Sequence, residues 1–237
     1  MGVKAKLRFA SYNIHKAVGV DGVRDPSRII SVLREIDADV VALQEADRRF
    51  GERESVLPRA ALDDTHWQVV PVASRPRSIG WHGNALLVRR DIEVLESEPL
   101  HLPTLEPRGA VCARLRRGGV TFRVIGTHLD LSGLRRSDQV RAILGYCEGL
   151  ATDCPIILMG DFNQWTARSG AVRHFGRWDV ISPGPSFPSR RPVARFDRMA
   201  LSPGWEVSGH GVHHSALAAH ASDHLPIWLD AQIIGTA

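Results

Sequence analysis

Residues 155–163 read PIILMGDFN, an apolar run that ends in a carboxylate and an amide. A short, continuous apolar run before turn-forming residues is typical of a strand that is covered on both faces. Asp161 and Asn163 are two residues apart, so in an extended chain both side chains point to the same side. A carboxylate and an amide placed in this way are suited to hold a phosphate group and its attacking water. The same tetrapeptide also forms Asx-turns at strand ends, so alone it is a moderate indication.

Four further polar clusters lie beside apolar runs in the same manner. They are residues 11–15 (SYNIH), 43–45 (LQE), 126–130 (GTHLD) and 222–227 (SDHLPI). Carboxylates, amides and imidazoles at strand ends suit a divalent metal ion and a phosphate group. The set therefore predicts a metal-dependent phosphoesterase.

Glu45 follows the almost wholly apolar run of residues 40–44. A carboxylate at that point is costly unless it meets a cation or a hydrogen-bond donor. Mg²⁺ accepts one or two carboxylates and keeps several of its waters, so Glu45 is the leading candidate for a metal ligand, helped by Asn13 or Asp223. The alternative is a strand-end glutamate that caps a helix or pairs with an arginine.

Asp197 and His224 are the candidate acid–imidazole pair, in which the carboxylate fixes the tautomer of the histidine and favours its charged form. His128 is a candidate donor to a phosphoryl oxygen, and Arg108 carries a guanidinium suited to bidentate binding of an oxyanion. The alternatives are a surface turn for the Asp-His sequence, a satisfied core histidine and an ordinary loop arginine.

Zinc is the alternative metal, because more histidines occur near the end of the chain: His210, His213, His214 and His220. His220 and His224 are four residues apart, a spacing that would bring them together on a helix. No HExxH sequence or cluster of cysteines accompanies them, so magnesium is favoured over zinc. The cysteines are odd in number and form no CxxC pair, so neither a disulfide framework nor a zinc knot is indicated.

The hydrophobic pattern predicts eight strands, at residues 7–12, 40–44, 68–72, 84–88, 120–126, 156–160, 195–201 and 227–233. One amphipathic helix is predicted to begin at Asp25-Pro26, and a second covers about residues 137–150. Because strands outnumber helices, we expect two mixed sheets packed face to face, with the helices outside. Long segments rich in Arg, Pro and Gly, at residues 47–65, 74–82, 98–109 and 181–194, are expected to form loops around the mouth of the site.

The chain has 237 residues, with no internal repeat and no linker-like stretch, which favours one domain over residues 1–237. A formal net charge of +4 and a pI of about 9.3 favour polyanions, nucleic acid or an acidic membrane face, as partners. No run approaches the roughly 18 apolar residues of a membrane span. The N-terminus lacks the features of a signal peptide, so we expect a cytoplasmic protein, and a monomer.

In chain order, the sequences SYNIHK, LQE, GNALL, THLDL, GDFN, FDRMAL and SDHLPI resemble the endonuclease/exonuclease/phosphatase superfamily of DNase I-like, metal-dependent phosphoesterases. The resemblance extends from about Leu7 to Asp230, and the order of the motifs makes it specific. It implies a four-layer α/β sandwich, in which two packed mixed sheets are flanked by helices and the active site lies at one edge.

The resemblance also implies roles for the matching residues. Metal binding is implied for Asn13, Glu45 and Asp223. Catalytic roles are implied for His128, which binds phosphate, for Asp161 and Asn163, which position water and phosphate, and for Asp197, which orients His224. Arg108 resembles an arginine that precedes the strand leading to the phosphate-binding histidine.

Differences from the family pattern indicate which branches of the superfamily the sequence does not resemble. Gly83 and Asn84 offer no carboxylate at a place where some members pair the histidine that matches His128 with a glutamate. Residues 127–129 (THL) replace the Tyr-Pro-Asn segment of abasic-site endonucleases, and residues 195–198 (RFDR) replace their Trp-Arg-Leu-Asp-Tyr run. Both differences argue against an abasic-site repair enzyme.

We therefore expect a small bacterial member that hydrolyses phosphodiester bonds with one or two Mg²⁺ ions, or with Mn²⁺. An endonuclease-like activity on nucleic acid is favoured by the positive charge. Lipid or small phosphodiesters are the alternative substrates, as in the sphingomyelinase-like branch, which the THL motif fits slightly better. A non-catalytic binding module is the third hypothesis, and the complete set of candidate residues argues against it.

Overall fold

The computed structural model describes residues 6–48, 51–73, 75–104, 108–150, 154–166 and 169–234. Within these residues, six strands form a first sheet: β1 (Lys6–Asn13), β2 (Val40–Gln44), β3 (Trp67–Val69), β4 (Ala85–Arg89), β11 (Trp205–Val212) and β12 (Ile227–Ile233). Six others form a second sheet: β5 (Glu93–His101), β6 (Gly109–Arg117), β7 (Val120–His128), β8 (Ile156–Asp161), β9 (Asp179–Ile181) and β10 (Asp197–Leu201).

Both sheets are mixed. The first has the strand order β11-β12-β1-β2-β4-β3, and the second has the order β5-β6-β7-β8-β10-β9. In the first sheet β1 is parallel to β2 and antiparallel to β12, while in the second β7 is parallel to β8 and antiparallel to β6. The two parallel pairs matter for function, because the carboxyl ends of parallel strands meet at one edge of a sheet.

The sheets pack face to face around an apolar core. Phe9 of β1 lies edge-on to Phe122 of β7 and to Trp205 of β11, with ring centroids 6.0 and 5.3 Å apart. Alternate residues of the same strands point outward. Val40 faces the other sheet, whereas Val41 belongs to the core that the first sheet shares with its outer helices. Covering on both faces explains why these strands are apolar nearly throughout.

Helices form the outer layers. Helix α1 (Pro26–Ile36) packs on the first sheet, together with the short helices α2 (Arg59–Asp63) and α4 (Ala218–Ala221), while α3 (Gly133–Glu148) packs on the second sheet. As predicted, Asp25 caps α1, and its side chain accepts a hydrogen bond from the backbone N–H of Ser27. The expected four-layer sandwich of two mixed sheets is therefore confirmed.

The eight predicted strands are all present, with ends that differ by a few residues. Four more strands, β5, β6, β9 and β11, were not predicted, and the loop predicted for residues 98–109 is partly wrong because β5 extends to His101. Most residues of β5 are exposed or half-buried, because β5 lies at the edge of the second sheet. The strand therefore has no apolar pattern that would predict it. The loop predicted for residues 47–65 likewise contains α2.

The second predicted helix begins four residues earlier than expected, at Gly133. Arg136 stabilises this first turn, since its guanidinium folds back and donates to the carbonyls of Asp130 and Leu131 at 3.1 and 2.5 Å. Across the described ranges, none of the helices combines the length and the apolar character that crossing a membrane requires.

Candidate active site

The parallel strand pairs bring four predicted residues to one edge of the sandwich. Asn13 ends β1, and Glu45 follows the end of β2, its parallel neighbour. In the second sheet, His128 ends β7 and Asp161 ends β8, and the two residues are directly paired in the parallel register. The first sheet therefore supplies an amide and a carboxylate, and the second an imidazole and a carboxylate.

The antiparallel strands add the remaining pair. Asp197 is the first residue of β10 and lies opposite Asp161 in the register of β10 with β8. His224 precedes β12, which runs antiparallel to β1, so it reaches the same edge from the first sheet. Asp161, Asp197 and His224 are all buried, and one ligand atom from each lies within 4.8 Å of the others.

Asp161 lies at the centre of the site. Its Oδ2 atom accepts a hydrogen bond from Nδ2 of Asn13 at 3.1 Å. The same oxygen lies 3.4 Å from Nε2 of His128 and 3.7 Å from Nε2 of His224. Its Oδ1 atom accepts a hydrogen bond from the backbone N–H of Asn163 at 2.9 Å. Three side chains from both sheets thus converge on one carboxylate oxygen.

The predicted pair of Asp197 and His224 is present. Nδ1 of His224 lies 2.9 Å from Oδ2 of Asp197, which leaves Nε2 free to face Asp161. Ser186, in the segment before β10, donates to the same Asp197 oxygen at 2.5 Å. The centroid of the Phe187 ring lies 4.8 Å from that of the His224 imidazole.

The two histidines have opposite electrostatic environments. Burial lowers the pKa of His224, but the charge and hydrogen bond of Asp197, assisted by Asp161, outweigh burial and raise the pKa to about 10. For His128 burial dominates over the attraction of Asp161, with a further contribution from Arg108, and the pKa falls to about 3. At neutral pH His224 is therefore cationic, whereas His128 is neutral.

Asn163 and Arg108 lie beside the carboxylate cluster and share one partner. Nδ2 of Asn163 and Nη1 of Arg108 both donate to the backbone carbonyl of Leu129, at 2.9 and 3.1 Å. Leu129 follows His128 directly, so this carbonyl joins the ends of β7 and β8. Both polar side chains therefore lie at the edge that holds His128 and Asp161.

The residues predicted to bind metal lie on the first-sheet side. Glu45 has a left-handed backbone with a φ of 56°, and its carboxylate is paired with the ammonium of Lys16. The amide of Asn13 is engaged on both sides, because its Oδ1 accepts from the backbone N–H of His15 at 3.1 Å while Nδ2 bonds Asp161. Asp223 lies 3.9 Å from Nδ1 of His15.

The turn after β1 is strained. His15, Lys16 and Ala17 have consecutive positive φ angles of 44°, 55° and 58°. For residues with a side chain, each such conformation costs about 1 kcal/mol or more. Three backbone hydrogen bonds hold the turn: from Ala17 N–H to the Ile14 carbonyl at 2.7 Å, from Val18 N–H to the His15 carbonyl at 2.9 Å and from Asp25 N–H to the Ala17 carbonyl at 2.8 Å. Strain of this kind concentrates at functional sites.

These residues fit a hard divalent cation. The Glu45 carboxylate already holds a cationic group, the Lys16 ammonium, and Asn13 ends the adjacent strand β1. Asp223 offers a further carboxylate, 3.9 Å from Nδ1 of His15. Such oxygen donors suit Mg²⁺. The tighter group of Asp161, Asp197 and His224 offers two carboxylates and an imidazole, with ligand atoms within 4.8 Å of one another.

The sequence analysis missed three contributors to the site: Ser186, Ser222 and Lys16. Ser186 lies in a loop without a motif, so only the folded chain shows its contact with Asp197. Ser222 belongs to the SDH sequence, and its hydroxyl donates to the Asn13 carbonyl at 2.8 Å, which ties the two strand ends together. Lys16 was visible in SYNIHK, but its contact with Glu45 depends on the unusual turn.

The other histidines lie elsewhere. His213 is paired with Glu35 at 2.7 Å, and His210 and His214 are exposed. The helical pairing of His220 with His224, on which the zinc alternative rested, is not formed, because α4 ends at Ala221 and His224 lies outside it. Of the cysteines, Cys112 is buried, and Cys147 and Cys154 are half-buried.

Comparisons with known proteins agree with this architecture. A model of the Endonuclease/Exonuclease/phosphatase family matches residues 10–224. The uncharacterized protein YbhP of Escherichia coli K12 is 27% identical over 223 residues, which covers 82% of this chain and 83% of YbhP.

Two solved structures illustrate the range of similar proteins. TDP2 of D. rerio, complexed with a single-stranded DNA product, gives a TM-score of 0.72 at 19% identity, covering 96% of this chain and 99% of that one. A mannosyl-6-phosphatase of Bacteroides thetaiotaomicron VPI-5482 gives a TM-score of 0.72 at 19% identity, covering 95% of this chain and 99% of that one. At such identities the similarity establishes the fold.

Proposed function

The chain belongs to the endonuclease/exonuclease/phosphatase family, and on that basis we propose that it is a metal-dependent phosphoesterase that hydrolyses phosphodiester bonds. The observation that carries the proposal is the convergence of Asn13, His128 and His224 on one oxygen of Asp161. Because the two sheets contribute to this cluster, we also propose that residues 1–237 act as one catalytic domain.

Glu45 would hold the ion, with Asn13 and Asp223 as further oxygen ligands. Mg²⁺ is our first choice and Mn²⁺ the second, since both favour oxygen ligands. When bound, the ion neutralises charge on the phosphate and assists departure of the leaving oxygen.

The protein supplies the groups that activate water. Nε2 of His224 and Oδ2 of Asp161 lie 3.7 Å apart, so one water molecule is able to contact both atoms. Because His224 is cationic at neutral pH, we assign proton acceptance from the attacking water to the Asp161 carboxylate, while the N–H at Nε2 of His224 orients that water. Asp197 is the positioning residue, since it orients the imidazole through Nδ1.

The second sheet supplies donors to the phosphate. His128 is neutral, so a proton on Nε2 is available to bind a non-bridging oxygen. The Asn163 amide and the Arg108 guanidinium lie next to it, tied to the Leu129 carbonyl. Donors fixed before the reaction stabilise the charge that builds on these oxygens as water attacks in line.

Nucleic acid is the favoured substrate, with endonuclease-like cleavage. The net charge is +4, and Arg190, Arg191 and Arg195 are exposed on the segment that leads into β10. This segment begins at the site, because it also contains Ser186. Exposed arginines next to a phosphodiesterase site match the backbone of a polyanion, and they predict affinity that falls steeply with salt.

A second candidate substrate is a phospholipid, and an apolar surface supports it. Four of the six strongly exposed large apolar side chains within the described residues are at least 69% exposed: Leu131, Leu134, Trp165 and Val193. They lie in the segments that follow β7, follow β8 and precede β10, which are the strands that carry the second-sheet site residues. Exposed apolar groups beside arginines are typical of surfaces that bind anionic membranes.

Contacts join the segments of Leu131 and Trp165 into one rim. Arg136 bridges the first two segments, since it contacts the Leu131 carbonyl at 2.5 Å and Oε1 of Gln164 at 3.2 Å. Trp165 follows Gln164, and its ring lies 4.8 Å from that of Phe196, beside Asp197. The rim therefore borders the mouth of the proposed site.

The first experiment measures nicking of supercoiled plasmid in Mg²⁺ or Mn²⁺. The arms are wild type, wild type with EDTA, Asp161→Ala, and the matched control Asp179→Ala, which alters an exposed aspartate on β9. Nicking that EDTA and Asp161→Ala abolish, and Asp179→Ala does not, would support the nuclease and exclude a non-catalytic module.

Parallel assays with bis(p-nitrophenyl) phosphate and with anionic phospholipid vesicles separate the substrates. Hydrolysis of vesicles but not plasmid would favour the lipid candidate, and Leu134→Ser should then reduce vesicle hydrolysis without reducing that of the small diester. Folded wild-type protein that hydrolyses none of the three substrates would contradict the proposed function.

A further inference from the structure

Lysine is rare in this chain, and its placement is informative. Of the 30 basic residues, three are lysines, Lys4, Lys6 and Lys16, which leaves 27 arginines. Lys16 is the sole lysine beyond the first six residues, and it is the one whose ammonium contacts the Glu45 carboxylate. A chain that uses arginine almost everywhere thus places a lysine at its candidate metal ligand.

The chemical difference between the two side chains matters at this position. A guanidinium binds a carboxylate through two parallel hydrogen bonds, whereas an ammonium is a compact point charge at the end of a flexible side chain. An ammonium is therefore released and redirected more easily. The side chains of Lys16 and Glu45 are 32% and 24% exposed, so the pair borders the open mouth of the site and is not sealed in the core.

The backbone of Lys16 is fixed even though its side chain is flexible. The carbonyl of Lys16 accepts a hydrogen bond from Nε of Arg24 at 3.2 Å, and the left-handed turn around it is closed by the backbone bond from Val18 to His15. The ammonium is thus able to leave Glu45 through side-chain rotation while its anchor stays beside the site. Lys16 is three residues from Asn13, whose amide donates to Asp161 at 3.1 Å, so the anchor of the ammonium lies next to the proposed phosphate site.

We propose that Lys16 is a displaceable cation of the active site, which neutralises Glu45 in the metal-free protein and binds a phosphoryl oxygen of the substrate once a divalent ion has taken Glu45. The reason is charge balance, because an ammonium and a divalent ion repel each other at a single carboxylate. The substrate phosphate offers the displaced ammonium a new anionic partner in the same pocket. This inference rests on the proposed function, since it assumes that Glu45 binds the ion.

Metal affinity is the decisive measurement, and it needs no substrate. Isothermal titration of Mn²⁺ should show that Lys16→Met, which keeps the length of the side chain but removes its charge, binds the ion about threefold or more tightly than wild type. Lys16→Arg should bind it more weakly than wild type, because the guanidinium holds Glu45 with two hydrogen bonds. Lys6→Met is the matched control, since Lys6 lies at the other end of β1, beside Asp230.

A second measurement observes the ammonium directly. Reductive ¹³C-methylation labels the few amines of this chain, and Lys16→Arg identifies the Lys16 signal. Adding Mg²⁺ should shift the Lys16 signal and leave the Lys6 signal in place. In steady-state kinetics, loss of the phosphate contact in Lys16→Met should raise the KM for a phosphodiester by about tenfold or more.

The outcomes separate this inference from the proposed function. If wild type hydrolyses phosphodiesters, but folded Lys16→Met binds Mn²⁺ no more tightly than wild type and the Lys16 signal stays fixed, Lys16 is not displaced and the inference fails alone. If the predicted order of affinities is found but no phosphodiester is hydrolysed, the displacement at Glu45 stands and the proposed function fails. A wild-type protein that binds no divalent ion would overturn the displacement as well.

Discussion

His224 and Asp197 join the two sheets at the floor of the site. The histidine precedes β12 of the first sheet, the aspartate begins β10 of the second, and Nδ1 lies 2.9 Å from Oδ2. Both side chains are buried, and Ser186 donates to the same carboxylate oxygen. The carboxylate therefore fixes the imidazole in the orientation that directs Nε2 at Asp161, and a small change at Asp197 tests that dependence.

Asp197→Asn should reduce kcat by about a hundredfold or more while the protein stays folded. Asparagine preserves the size of the side chain and accepts from Nδ1, but it no longer stabilises the cationic imidazole. The measurement is kcat on bis(p-nitrophenyl) phosphate, with circular dichroism to confirm the fold. Asp179→Asn, on the exposed neighbouring strand β9, is the matched control and should retain wild-type kcat. A kcat within about twofold of wild type in Asp197→Asn would remove this residue from the mechanism.

His224→Asn separates the two nitrogens of the imidazole. The asparagine amide replaces Nδ1 and keeps the bond to Asp197, but it has no counterpart of Nε2, which faces Asp161. Turnover should fall below about 1% of wild type, as expected for loss of a fixed cationic donor at the reacting centre. Because the neutral amide leaves the buried Asp197 carboxylate without its cationic partner, the free energy of unfolding should also fall, by about 3 kcal/mol. Failure of the variant to fold would assign His224 a structural role instead.

Glu45→Gln should weaken the dependence on divalent metal. Glutamine keeps the shape of the side chain but removes the charge that attracts the ion. We expect the Mg²⁺ concentration for half-maximal activity to rise about tenfold or more, and EDTA to abolish the activity of wild type. The test is a Mg²⁺ titration of both proteins at constant ionic strength. Superimposable titration curves would exclude Glu45 as a metal ligand.

Much of the site was predictable because its residues lie at the ends of apolar strands. Asp161 and Glu45 follow runs that are covered on both faces, and strands of that kind are the easiest to recognise in a sequence. Their meeting at one edge follows from parallel pairing. The edge strand β5 was missed because its residues are half-exposed and charged, so its pairing with β6 leaves no periodic apolar signal.

The contacts that were missed depend on long-range geometry. Ser186 reaches Asp197 from a loop without any regular pattern, and its position is set only when that loop closes over β10. Lys16 reaches Glu45 because three residues adopt left-handed backbone conformations, which no propensity of His, Lys or Ala would predict. Functional sites are where local preferences are most often overridden, and this turn is an example.

His128 predicts a specific dependence of stability on pH. Its side chain is 12% exposed, and its pKa is lowered to about 3 in the folded protein. The unfolded value is about 6.5, so between these values the unfolded chain binds more protons. The stability that depends on a neutral His128 is therefore fully present above about pH 6.5. As the pH falls toward 3, the free energy of unfolding decreases by up to about 1.4 kcal/mol for each pH unit.

The measurement is urea unfolding of metal-free wild type and His128→Gln at several pH values between 7 and 4.5. Glutamine keeps an N–H donor near the position of Nε2 but does not titrate. Wild type should lose stability more steeply than the variant as the pH falls, so their difference in the free energy of unfolding changes across this range. Parallel pH profiles would show that burial does not hold His128 neutral.

Gly160, immediately before Asp161 on β8, leaves no space for a side chain beside β7. A Cβ atom at this position would lie 1.8 Å from the backbone oxygen of Thr127, which is its partner in the register of the two strands. Gly160→Ala should therefore force the strands apart, with a loss of about 3 kcal/mol in the free energy of unfolding. Gly145→Ala is the matched control, because a Cβ in the middle of α3 meets no atom within 4 Å. That substitution should stabilise the protein by about 0.5–1 kcal/mol, and equal effects of the two in urea unfolding would contradict the argument.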